Sequence, residues 1–181
     1  MKHILVKVML IFGSAAFAAE HTKALRKFET LAENGDLNAQ LELAKAYRQG
    51  IGVSQDYKTA VKWFTLAAEQ GDAEAQYNLG VMHSFGLGVV PNNEPAVKWY
   101  TLAAKQGDAL AQYNLGRLYF LGNGVSENIV YAHMWAKQAS LNGFLMGGEL
   151  IELLNESMTT SQIAEAHQLE KICLEKNFEG C

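Results

Sequence analysis

Residues 63–80 read WFTLAAEQGDAEAQYNLG and residues 99–116 read WYTLAAKQGDALAQYNLG, which is nearly the same line twice, 36 residues apart. The offset continues in both directions. Gly35-Asp36, Gly71-Asp72 and Gly107-Asp108 keep step, and Gly143 stands one period further on. Ala60, Ala96 and Ala132 share the step with Trp63, Trp99 and Trp135. A fixed period of this length specifies a repeat architecture, in which each unit hides its apolar face only by stacking on the next.

Each full repeat reads as helix, glycine turn, helix. The first helix starts after Asp36, Asp72 or Asp108, whose side chains can accept the unpaired amides of a first turn. Its buried face is Ala39, Leu43, Ala44 and Tyr47 in repeat one, then Ala75, Leu79, Gly80 and His83, then Ala111, Leu115, Gly116 and Tyr119. Glycine in a helix interior costs about 1 kcal/mol against alanine, so Gly80 and Gly116 predict close helix approach as compensation. The turn is Gly-x-Gly-Val at 50–53, 86–89 and 122–125. Its first glycine suits a left-handed helix terminus and its second lets the chain double back. No strand precedes it and no Lys-Ser/Thr follows, so a nucleotide loop is not indicated.

The second helix carries Ala60, Trp63, Phe64, Ala67 and Ala68, then Ala96, Trp99, Tyr100, Ala103 and Ala104, then Ala132, Trp135, Ala136, Ala139 and Ser140. These aromatics read as core. Upstream, Ala24, Phe28, Leu31 and Ala32 fall at i, i+4, i+7 and i+8, the face an amphipathic helix buries. In register this is a second helix without its first, and it is expected to cap the array. Downstream, a helix over 144–155 with Leu150, Ile151 and Leu154 has no Gly-x-Gly turn after it. Thr159-x-x-Gln162 is a capping box for a last helix from Thr160 to about Lys176, with Ile163, Ala166, Leu169, Ile172 and Cys173 on its apolar face.

The first 18 residues have the form of a secretory signal. Lys2 and Lys7 lead, Val8 to Phe17 is apolar but too short to span a bilayer, and Ala16-Phe17-Ala18 is an A-x-A cleavage site. The competing reading is an uncleaved anchor or a first repeat helix. Without Lys2 and Lys7 the 15 basic residues become 13, against 19 acidic ones. That balance disfavours nucleic acid or an anionic membrane as partner. No second long apolar run follows, so the mature product is expected to be exported and not membrane-inserted, in the periplasm or secreted. The two cysteines, Cys173 and Cys181, are an even count, which in an oxidising compartment favours a disulfide between them.

The strings AEAQYNLGVMHSFGLGV and AVKWYTLAAKQGDALAQYNLG resemble the Sel-1-like repeat, a relative of the tetratricopeptide repeat with a longer inter-helix turn. The likeness is close over about 21–143 and looser beyond. It implies an all-α fold, an α/α superhelical solenoid of tandem helix-turn-helix repeats, with a concave groove that binds a protein or peptide. The organisation is then a signal peptide at 1–18, a capping helix at 19–35, three repeats at 36–143 and a shortened repeat and cap at 144–181. The first helices of such stacks line the groove. Carried over in register, the partner-binding residues are Leu41 and Arg48, Tyr77 and Val81, and Tyr113, Arg117 and Phe120. Tyr77 and Tyr113 could equally pack between repeats. The Cys173-x7-Cys181 segment is similar to the cysteine pairs of the cysteine-rich secreted proteins of Helicobacter. Those carry the pair in every repeat, whereas here only the last copy has it, and Lys176 stands where glycine is usual.

Catalytic chemistry is not indicated. GxSxG, SxxK and HExxH are missing from the sequence, and His21, His83, His133 and His167 are scattered. His83 sits at a core position and His133 where Val61 and Val97 stand, as a packing substitution. The reading is a non-enzymatic interaction scaffold that needs no metal or cofactor. The alternative is a β-lactam or cell-wall-directed hydrolase, as for some cysteine-rich repeat proteins.

Overall fold

The computed structural model describes residues 25–180, and these are helical with no strand among them. The expected leader, its cleavage point, His21, Ala24 and Cys181 lie outside the described residues. The helices are α1 (25–33), α2 (Leu37–Gln49), α3 (Tyr57–Glu69), α4 (Ala73–Phe85), α5 (Asn93–Lys105), α6 (Ala109–Leu121), α7 (Ile129–Leu141), α8 (Leu145–Asn155) and α9 (Thr160–Glu175). Two compact units divide the chain, one ending at Leu66 and the other beginning at Ala67, so the boundary falls inside α3.

The repeated aspartates do what their position predicts. The carboxylates of Asp36, Asp72 and Asp108 accept from the backbone N–H of Ala39, Ala75 and Ala111 at 2.8, 2.8 and 2.7 Å. Burial raises the pKa of Asp108, opposed by the amides it caps. At the other end Gly50, Gly86 and Gly122 take φ of 72°, 69° and 64°, and their N–H groups return to the carbonyls of Ala46, Met82 and Leu118. Any side chain would be strained in that left-handed conformation.

In the first unit Ala39, Leu41, Leu43 and Ala44 of α2 are buried with Ala60, Trp63 and Phe64 of α3. The Arg48 guanidinium lies over the Phe64 ring, 6.0 Å from its centroid. Buried Gln40 donates from Nε2 to the Ala32 carbonyl at 3.0 Å. The expected buried face of α1 needs correction here. Ala32 is buried, but Phe28 is 44% and Leu31 39% exposed. The register explains the difference. Phe64 one period on is covered from the preceding first helix, through Arg48, and among the described residues no first helix precedes α1.

In the second unit α5 and α7 each approach the small residue of a first helix closely, α5 with an aromatic ring and α7 with its backbone. A Cβ on Gly80 would stand 2.5 Å from carbons of the buried Tyr100 ring. One on Gly116 would meet the α7 backbone, 3.1 Å from the Ala132 carbonyl oxygen. The glycines thus compensate their helix cost with contact, and burying one such ring is worth about 1.5–3 kcal/mol. The second-helix residues Ala67, Ala68, Ala96, Ala103, Ala104, Ala132, Trp135, Ala136 and Ala139 are buried as expected. Trp99, Tyr119, His83 and Ser140 are only partly so.

The polar spine of the stack is not read from hydrophobic periodicity. Gln76 and Gln112 are buried, and their Nε2 atoms donate to the carbonyls of Ala68 and Ala104 at 3.1 and 2.9 Å. Their Oε1 atoms accept from Gln106 Nε2 at 2.7 Å and Asn142 Nδ2 at 2.9 Å. Each glutamine therefore ties a first helix to the helix before it and to the loop after the next one. Buried amides satisfied on both sides in this way fix register as well as adding stability.

The last hairpin is shorter, 11 residues in α8 against 13 in the earlier first helices. The capping box at Thr159 and Gln162 is present. Helix α9 packs on α7, and Cys173 joins the core beside Met134 and Trp135. After α9 the chain turns through Asn177 and Phe178 at φ of 50° and 61°, and Phe178 stacks on Trp135 with ring centroids 5.1 Å apart. A left-handed phenylalanine costs about 1–2 kcal/mol, which burial of its ring offsets.

Candidate protein-interaction surface

The seven expected contact residues fall into three groups. In the first unit Leu41 is buried and Arg48 is engaged with Phe64. In the second, Tyr77 is half-buried with its ring 6.0 Å from that of Tyr100, and Val81 packs on the same core cluster. Both of these are in use between helices. Tyr113, Arg117 and Phe120 are brought together on α6, where they line one hollow of about 440 Å³ with Leu121 and with Met146, Glu149, Leu150 and Leu153 of α8. Helical spacing of four and three places them along one face.

A second hollow of about 200 Å³ adjoins the first, sharing Arg117 and Leu121 with it. Its other walls include Ser84 and Phe85 of α4, Asn93 and Tyr100 of α5, and Asn114 and Asn123. Burial pushes the Tyr100 phenol up to about 12, against the opposing pull of the Ser84 side chain. Phe85, Leu121, Met146 and Leu153 are each 41–72% exposed although all are large and apolar. Leu121 and Phe85 stand one period apart, a signal that register alone could have revealed. Met146 and Leu153 belong to the shortened repeat, where the repeat pattern fades, and sequence reasoning missed them.

Arg117 is the charged group of this face on α6. Its guanidinium lies 5.7 Å from the Tyr113 ring centroid, and the Phe144 ring meets Tyr113 in an edge contact with centroids 5.1 Å apart. Among the described residues Arg117 has no carboxylate within ion-pair distance. Elsewhere His133 is 2% exposed, with Nδ1 lacking a hydrogen-bond partner and the His167 ring 5.7 Å away. Burial lowers its pKa, with His167 adding to the effect. Among the described residues no group of three or more His, Cys, Asp or Glu could share a metal ion, and no helix is long and apolar enough to cross a membrane.

The Sel1 repeat family matches residues 37–72, 73–108 and 109–144, three tandem copies in the register of the aspartate caps. The chain belongs to the Sel1 repeat family. It is similar to the solved Sel1 repeat protein from Oxalobacter formigenes, at 35% identity and a TM-score of 0.65, over 72% of this chain and 98% of that one. A protective antigen of uropathogenic Escherichia coli displaying an SLR fold shares 29% identity at a TM-score of 0.55. That likeness covers 87% of this chain and 42% of the antigen. No curated protein matches significantly. The fold class is therefore the α/α solenoid of tandem helix-turn-helix repeats, and Sel1 repeats in general serve as protein-interaction scaffolds.

Proposed function

We propose that this Sel1 repeat protein is an exported, non-enzymatic scaffold that takes a protein or peptide partner on the α4–α6–α8 face of its second unit. The observation that carries this reading is the set of four exposed apolar side chains, Phe85, Leu121, Met146 and Leu153, around two adjoining hollows. Soluble proteins seldom leave such side chains contiguous and open to water unless something covers them. The leader-like start supports a location in the periplasm or outside the cell. A Cys173–Cys181 bridge fits that compartment and would hold the C-terminal turn over Trp135; no described cysteine is free, and Cys173 is buried in the core.

Affinity capture from an envelope extract of the source cells tests the scaffold role, with a Leu121→Asp/Met146→Asp variant matched to wild type in circular dichroism and melting. Wild type should retain a defined partner, and the variant should lose it about tenfold or more, the effect expected of removing a buried apolar anchor. Equal capture by both proteins would place the working surface elsewhere.

A further inference from the structure

The two hollows differ in chemistry, and the difference points to the kind of segment that fills them; the argument rests on the scaffold reading above. The larger is walled by Tyr113, Phe120, Met146, Leu150 and Leu153, room for one large apolar side chain with space to spare. The smaller presents the side-chain amides of Asn93, Asn114 and Asn123, which make no side-chain hydrogen bond among the described residues. Each amide offers two donors and an acceptor. A helical partner has its backbone groups already paired and could not use them, whereas an extended backbone presents both N–H and C=O.

Between the hollows stands Arg117. Its register equivalents are Lys45 and Val81, so stacking of the helices does not require a guanidinium at this position. Lying over the Tyr113 ring holds the group in place but uses none of its in-plane N–H donors. In a chain of net charge −4 this cation has no carboxylate of its own. A planar fork with open donors matches a carboxylate. Glu149 lines the apolar hollow from α8 and acts in the opposite sense, repelling any acid placed on that side.

We infer that the partner presents an extended segment in which a large apolar side chain is followed directly by a single acidic residue. The apolar side chain fills the Tyr113–Leu153 hollow, the carboxylate meets Arg117, and the backbone lies on the asparagine amides. A run of acids is disfavoured by Glu149.

The test is titration of the full-length, isotope-labelled protein with four capped peptides, followed by amide chemical shifts. The peptides are acetyl-Gly-Gly-Phe-Asp-Gly-Gly-amide and its Asp→Asn, Asp→Lys and Phe→Ala counterparts. The Phe-Asp peptide should shift signals within 113–121 and 146–153 and bind about tenfold or more tightly than the other three, the scale of one charge-assisted contact. Arg117→Gln should remove the preference for Asp over Asn, while Glu149→Gln should raise affinity for the Phe-Asp peptide. If the Asn peptide binds as well as the Asp peptide, the inference is overturned while the scaffold reading stands. If none of the four shifts those signals, the inference is also overturned, and partner capture then judges the scaffold reading by itself.

Discussion

Gly80 and Gly148 show how one atom decides the sign of a substitution. Both are helical glycines, so alanine should gain about 0.5–1 kcal/mol from propensity at either position. At Gly148 the new Cβ finds only the Ser140 Oγ at 3.8 Å, and Gly148→Ala should stabilise by roughly that amount. At Gly80 it would stand 2.5 Å from the buried Tyr100 ring, closer than carbon atoms pack. Gly80→Ala should therefore destabilise by about 1–3 kcal/mol, the usual cost of overpacking, with urea unfolding of the two variants as the check. His133 makes the residue-scale case for pH. Its folded pKa lies below the ordinary 6.5 because burial disfavours the imidazolium, so above 6.5 both folded and unfolded states are neutral. As pH falls below 6.5 the unfolded chain takes up a proton that the folded chain resists, and stability declines until the folded pKa is passed. His133→Val restores the register residue. It should flatten the stability–pH curve on the acid side of pH 6.5, and an unchanged curve would rule out His133 as the cause.

At the scale of elements, caps, turns and helix faces were legible because each depends on a residue type at a fixed place. Asp36, Asp72 and Asp108 cap as their chemistry requires, and Thr159 with Gln162 closes its box. The exposure of Phe28 was not legible, because burial of a second-helix aromatic depends on the first helix before it, not on its own spacing. The glutamine spine was missed for a related reason, since periodicity treats a buried polar side chain as a surface one. Replacing Gln112 with leucine keeps the volume but leaves the Ala104 carbonyl and the Asn142 amide without their partner. That should cost about 1–3 kcal/mol in denaturant unfolding. The C-terminal turn is held by an aromatic contact that no motif announces. Phe178→Ala should cost about 3 kcal/mol and expose Trp135 to solvent quenchers, whereas a change in melting without a change in quenching would deny that the ring is the lid.

For the whole molecule, three in-register copies made the fold class readable, while the working face was readable only in part. Tyr113, Arg117 and Phe120 come together as register implied, but Tyr77 and Val81 are used in packing, and half of the larger hollow comes from α8. Helix α8 lies where the repeat has been shortened and its pattern blurred, so Met146 and Leu153 carried no repeat signal. The loss of pattern is informative in itself: two of the four apolar side chains exposed on this face, Met146 and Leu153, lie where the repeat fades. The most direct measurement of that claim places a photo-crosslinking amino acid at Leu121, which lines both hollows, or at Leu102, exposed on α5 and lining neither. In the source cells the Leu121 probe should give one discrete adduct and the Leu102 probe none. Adducts from Leu102 alone, or no adduct from Leu121, would contradict the assignment of the α4–α6–α8 face as the binding surface.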